Sequence, residues 1–577
     1  MPIIGGRGIA AALIAAAPLL AQTVPVKEHT LSNGMRLLLV ERHDKPTVAT
    51  AWIVRAGSAN ERPGMTGVAH LFEHMMFKGS KTIGTTNIQR DLAINAEQDK
   101  IQAEIRKEES ILRQKELNGE IADMRDAKAR SPRHQQLVEQ MEKLVKEQQE
   151  LLVKDEFSKI YTQAGGTGLN AFTYQDATCY HQTVPANRLE LWAWMESDRL
   201  YQPVFREFYK ERDVVGEERR MRTDSTPTGK FEETFEAMVW MAHPYHWPVI
   251  GWPSDVSSLT REQANEFFAT YYAPNNLTAV LVGDFKSSEA IALCERYFGR
   301  IPANPKGVPE IITLEPKQLA EKRMMAEAET TPSAQIVYKA VSAGHKDAPA
   351  LDVLSSVLNG RSGRLQKSLV EGQKVATRVR ASMQGMKYGG TFVFHGTASA
   401  DQKPEAVEQA IYREIEKIQK EGITEQELQK AKNQAQADSF RRLEDNMGLT
   451  IQLAIADATT GYQAFLDEPQ KTEAVTREDV QRVAKDYLVK ETRSVAIYTR
   501  KGGAAPTDPE LAALPAEAQG MVKAQLGRLE QVKDPAQLKA IVGQLEGQAG
   551  QVPAEAKPVI DYMIKKVRER IAKLEAK

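Results

Sequence analysis

The run His70-Leu71-Phe72-Glu73-His74 constrains this chain more than any other five residues. Residues four apart share one face of a helix, so a helical run aims both imidazoles at one point and sets Glu73 beside it. The spacing H-x-x-E-H is the inverted form of the H-E-x-x-H zinc helix, in which two histidines hold a metal and a carboxylate takes a proton from the attacking water. Gly64 to Gly67 precede the run, so the helix is expected to begin near Val68.

The rest of the chain sets the frame around that helix. At 577 residues it exceeds a single core, and length alone suggests about three or four domains. A formal charge of −1 lacks the basic excess of a nucleic-acid binder. Arg7, the apolar stretch Ile9 to Leu20 and the small residue Ala21 read as an export signal over 1–21, too short to span a bilayer. That signal places the chain in the periplasm or outside the cell. No later apolar stretch reaches membrane length. Cys179 and Cys294, the two cysteines, are far apart and define no disulfide framework; buried free thiols are the simpler expectation.

Val26 to Val40 reads as two strands about an Asn33-Gly34 turn, and Thr47 to Val54 as a third. From Asp91 to Gln163, apolar residues at helical spacing (Ile94 through Leu117, Ile121 and Met124, then Leu137 through Leu152) stand amid dense charge. Ser131-Pro132 interrupts them, which predicts a helical hairpin inserted over 95–160 with solvated, coiled-coil-like faces. Gly168 to Tyr174 and Ala177 to Val184 are strand-like, and Phe205 to Met221 is helical. Ile301 to Pro316 reads as a linker, after which the mixture of strands and helices repeats without a second H-x-x-E-H. Residues past Gly502 have helical periodicity and few strand signals. The fold class is therefore α+β, with a metal-bearing domain over 25–305, a similar domain over 313–500 and a helical extension over 501–577.

Two histidines leave a catalytic zinc site one protein ligand short. Phe208 to Arg222 is the best source of a third. Glu211 and Glu218 share a helical face with Val214, Val215 and Met221, where a carboxylate is costly unless it meets a partner. Salt-bridged surface glutamates are the alternative. Glu217 lies about 100° round the helix and is expected in solvent.

The ordered segments HLFEHMMFKGS, GGTGLNAFTY, ERDVVGEE, HPYHWPVIG and FFATYYAPNNLTAVLVGDF resemble the pitrilysin family of zinc peptidases, and within it the branch of the mitochondrial processing peptidase. The resemblance spans roughly Val26 to Arg500. It implies two similar mixed α/β-sheet domains, zinc held by His70, His74 and Glu218, and Glu73 as general base. It implies Glu211 as the supporting acidic residue, and Asn170, Ala171 and Phe172 on an edge strand that receives an extended peptide. Two departures stand out. His74 and Glu218 are far apart in sequence, which the inserted hairpin accounts for, and Val370 and Thr377 occupy positions where single-chain members carry a substrate-gripping Arg and Tyr. The expectation is a zinc endopeptidase acting on extended peptides, as the catalytic subunit beside a homologous partner that supplies the Arg/Tyr pair. The alternative is a non-catalytic assembly subunit of the same family.

Overall fold

A computed structural model describes residues 24–501, 508–512, 514, 516–530, 532, 534–549 and 557–575; the expected export signal lies outside them. Two sheets organise the described chain. The first holds β1 (Lys27–Thr30), β2 (Arg36–Glu41), β3 (Thr47–Val54), β4 (Thr167–Thr173), β5 (Thr178–Pro185) and β6 (Leu277–Gly283), in the order β1-β2-β6-β3-β5-β4. The second holds β7 (Lys322–Ala328), β8 (Ser333–Ala340), β9 (Ala376–Gly385), β10 (Gly390–Ala398) and β11 (Arg493–Arg500), in the order β7-β11-β8-β10-β9. Each sheet contains a single parallel pair, β2 with β6 and β7 with β11. The central strand β3 is buried on both faces, which explains why Thr47 to Val54 reads as a continuous β-rich run rather than an alternating one.

Each half covers one face of its own sheet and lends a helix to the other. The helix Asn446–Thr459 from the second half lays Leu449, Leu453 and Ala454 on Leu38, Ala51, Ile53 and Val280 of the first sheet. Its buried Asp457 receives Arg36 at 2.9 Å, Arg55 at 2.5 Å and the Thr278 hydroxyl at 2.6 Å, which compensates the carboxylate. In return, Phe235 and Val239 of the helix Gly229–Val239, with Trp240, pack on Val337, Ala496 and Tyr498 of the second sheet.

His243 sits in that second seam, with its ring 4.0 Å from Tyr245 and 5.3 Å from Tyr388. Burial first, then Lys339 and His246, hold its imidazole down to about 4, against the opposing pull of Glu315. The folded value lies below that of a free histidine. The stability it contributes is complete above about pH 6.5 and is lost as pH falls toward 4, because only the unfolded chain takes up the proton. The expected loss is roughly 2–3 kcal/mol. His243→Asn, which keeps an acceptor for the Tyr245 N–H, should flatten this acid limb when thermal midpoints are compared at pH 7 and 4.5.

The helical hairpin is an antiparallel pair, Ile88–Leu117 and Pro132–Leu151, with Ser131 capping the second helix by accepting the His134 N–H at 3.0 Å. Ile121 and Met124 lie in the connecting loop rather than on the first helix, which ends at Leu117, itself 75% exposed. Ile94, Ile105 and Leu112 are buried, but so are Asp91, Asn95, Gln98, Gln102 and Gln148. Gln148 donates to Asp91 at 2.7 Å and to Asn95 at 2.9 Å, and Arg206 donates to Asp91 at 2.8 Å. The base of the hairpin is thus keyed to the body by polar groups. The C-terminal helices Ala516–Glu530, Pro535–Ala549 and Lys557–Glu575 bury their apolar residues against one another. Cys179 and Cys294 are both buried and free; burial pushes the Cys294 thiol up to about 12. No helix among the described residues is long and apolar enough to cross a membrane.

Candidate metal centre and peptide edge

The helix Val68–Met75 carries the motif, and its start is held with care. Gly67, at φ 89°, occupies a left-handed conformation, and a Cβ there would stand 2.5 Å from the Ile250 carbonyl oxygen, so only glycine fits. Glycine has no capping side chain, and the buried Glu61 supplies the cap: its two oxygens accept the Gly67 and Ala69 N–H groups, each at 2.8 Å. Phe72 faces away from the site into Phe205, Phe267, Phe268 and Tyr272 and fixes the rotation of the helix.

Below the motif helix lies a buried ion pair. Glu196 accepts from Trp52 Nε1 at 2.6 Å, Tyr161 OH at 2.7 Å, Gln182 at 2.9 Å and Arg199 Nε at 2.7 Å. Arg199 also donates to the Met76 carbonyl at 3.3 Å, at the C-terminal end of the motif helix, and lies among the rings of Trp52, Phe157 and Tyr180.

On the solvent side, the helix Phe208–Arg219 brings two glutamates to the histidines. Glu218 Oε2 stands 3.7 Å from His70 Nε2 and 3.5 Å from His74 Nε2, too far for hydrogen bonds. The three ligand atoms lie within 4.8 Å of one another. Ligands at about 2.0–2.1 Å from a tetrahedral zinc stand about 3.4 Å apart, so the donor set and its spacing fit the ion. The other oxygen of Glu218 is held by Arg222 at 2.6 Å. Burial first, with the charges of His74 and Arg222, holds the His70 imidazole down to about 3, leaving it neutral with a free lone pair.

Glu211 meets the far side of His74, with Oε2 3.6 Å from Nδ1, and is itself gripped by Lys78. Burial works against ionising both His74 and Glu211. The neighbouring carboxylates nonetheless raise His74, while His74 and Lys78 lower Glu211. Glu73 accepts the Thr173 hydroxyl at 2.7 Å, and burial outweighs that bond to hold its carboxyl above the usual range. Thr173 ends β4, which among the described residues pairs only with β5, so there the strand bearing Asn170, Ala171 and Phe172 presents a free edge beside Glu73.

Sequence reasoning placed apolar company around Glu211 and Glu218, and here the structure differs. Val215 is buried, but Val214 is 41% and Met221 68% exposed. The helix passes into a π-helical turn at Arg220–Asp224, which carries Met221 off the expected face. Lys78, Thr173 and Glu61 were missed. Lys78 follows His74 at the helical spacing of four, a readable signal; Thr173 and Glu61 depend on contacts the sequence does not announce.

Comparison with known proteins gives the chain's family. Residues 36–151 match the family model "Insulinase (Peptidase family M16)", and residues 258–435, which run from the last strand of the first sheet into the second and hold no H-x-x-E-H, match "Peptidase M16 inactive domain". The zinc protease PqqE of Helicobacter pylori is 28% identical over 481 residues, covering 82% of this chain and 92% of that protein. A crystal structure of a protease from Helicobacter pylori superposes with a TM-score of 0.67 at 24% identity, over 82% of this chain and 99% of that one. The periplasmic protease PqqL from Escherichia coli superposes at 0.60 and 18% identity, over 82% of this chain and 47% of that one. The chain belongs to peptidase family M16, the pitrilysin family of zinc proteases, and membership implies zinc as the metal.

Proposed function

We propose that the chain is a zinc-dependent endopeptidase that cleaves extended peptides or unfolded segments. The observation that carries this reading is the convergence of His70, His74 and Glu218 beside Glu73 and the free edge of β4. A zinc ion bound by those three side chains would supply Lewis acidity toward water and the scissile carbonyl. Glu73 takes the proton of the attacking water and returns it to the leaving amine, a role suited to a carboxyl held above its ordinary range. Glu211 orients His74 from behind, as a carboxylate beside a ligating imidazole does. Asn170, Ala171 and Phe172 accept the peptide as an added strand.

In this reading 25–305 is the metallopeptidase domain and 313–500 its zinc-free counterpart. The hairpin is a coiled-coil-like decoration, and the chain is exported by its first residues to the periplasm or beyond. Val370 is half-buried against the second core and Thr377 is exposed, so neither supplies the Arg/Tyr grip, and a homologous partner subunit of processing-peptidase type provides it.

Elemental analysis should find one zinc per chain, and a quenched-fluorescence peptide assay should show cleavage abolished by a chelator and restored by zinc. Zinc binding without cleavage, alone or with a co-purifying homologue, would favour an assembly role instead. His70→Ala removes one of three protein ligands and should lower zinc content to background while the chain stays folded.

A further inference from the structure

Beyond the end of β4, a groove of about 320 Å³ runs between the helix Gly229–Val239 and the open face of the second sheet. Gln175 lines it, two residues past the Thr173 that bonds Glu73, in the turn that joins β4 to β5. The floor is a ladder of alternate residues from three strands. Gln335, His395 and Arg380 pair directly across β8, β10 and β9, and Ser382 and Gln384 continue the same face along β9. Side chains on the opposite face of these strands, such as Ala381, Phe392 and Phe394, fill the second core. The polar ladder is thus the part of this face left open beside the seam where Phe235, Val239 and Trp240 cover Val337, and the sheet's other side is fully packed.

Arg380 is its distinctive residue. It is exposed, and its guanidinium meets no carboxylate or other hydrogen-bond partner among the described residues. Glu236 lines the groove from the helix, across from the strands, and forms no ion pair with it. An arginine with its planar fork free, in a groove that prolongs a peptide-binding edge, is built to receive a carboxylate. Successive side chains of an extended peptide point to opposite sides, so one substrate residue in two can be read by the floor.

We propose that this groove is a substrate subsite in which Arg380 selects an acidic residue, two to five positions from the scissile bond, in the peptide laid along β4. The inference rests on the peptidase reading and adds a chemical class of substrate to it: extended peptides with a carboxylate side chain at a fixed distance from the cleavage point.

The test uses the zinc-loaded full chain, alone and together with a co-purifying homologue, and sets of quenched peptides identical except for Glu, Gln or Lys at each of positions two to five on either side of the bond, with products assigned by mass spectrometry. At one position Glu should exceed Gln by roughly tenfold or more in kcat/KM, carried by KM. Arg380→Gln should bring that ratio close to one, and Arg380→Glu should turn the preference toward Lys. Binding of the same peptides to the Glu73→Gln chain, followed by fluorescence anisotropy, should rank them in the same order. Cleavage that ignores charge at every position, or a Glu preference that survives Arg380→Gln, overturns the subsite alone. Absence of both cleavage and peptide binding overturns the peptidase reading, and the subsite with it.

Discussion

Glu73→Gln should leave one zinc per chain and lower kcat by about 10²- to 10⁴-fold, the range that loss of a positioned general base produces. The substitution is close to isosteric, and glutamine still offers an oxygen to the Thr173 hydroxyl, so the edge of β4 and the motif helix keep their places. What is lost is the capacity to hold a proton at the carboxyl oxygen between attack and departure of the amine. Neither His70 nor His74 should be disturbed, since Glu73 contributes no ligand atom to their cluster with Glu218. Metal content and turnover measured on the same preparation separate this from damage to the metal site. Near-native turnover with full zinc would assign the proton transfer to another group.

The largest expected loss of stability comes from Glu196→Ala, about 3–5 kcal/mol. The arithmetic is asymmetric. With both partners present, Arg199 is neutralised inside an aromatic cage, and Glu196 satisfies five donors from four side chains. Truncating the glutamate leaves a guanidinium with 2% side-chain exposure and no counter-charge, and orphans the Trp52 and Tyr161 donors. The double variant Glu196→Leu, Arg199→Met should recover much of that loss, because two apolar chains of similar volume leave no charge behind. Unfolding midpoints of wild type, single and double variants form the test. A single variant within about 1 kcal/mol of wild type would mean that water reaches Arg199 and relieves it.

The legible parts of the site were those set by local chemistry. H-x-x-E-H is a helix-face pattern, and Glu218 and Asn170 to Phe172 stood in segments with family-like order. The π-turn after Arg219 was hidden because helical periodicity assumes a constant 100° per residue, and it carries Met221 into solvent; Val214 is exposed within the regular helix that precedes it. The first hairpin helix was read too long for a related reason: Ile121 and Met124 keep helical spacing but lie in the loop joining the two helices. The polar key at the hairpin base was invisible, since Asp91 and Gln148 look like surface residues until Arg206 is placed beside them. Strands β7 and β9 escaped notice because Lys322–Ala328 and the arginine-bearing stretch Ala376–Gly385 alternate polar residues outward, with little apolar contrast.

The exchanged helices make the two halves mutually obligate. A chain severed in the segment between Ile301 and Pro316 would yield a front piece whose first sheet lacks its cover of Leu449, Leu453 and Ala454, and a back piece whose second sheet lacks Phe235 and Val239. Each fragment would present a bare apolar sheet face and aggregate by itself, yet co-expressed fragments would find in each other the only surfaces that fit. The molecule is in that sense a covalent dimer, in which each half completes a face of the other's sheet.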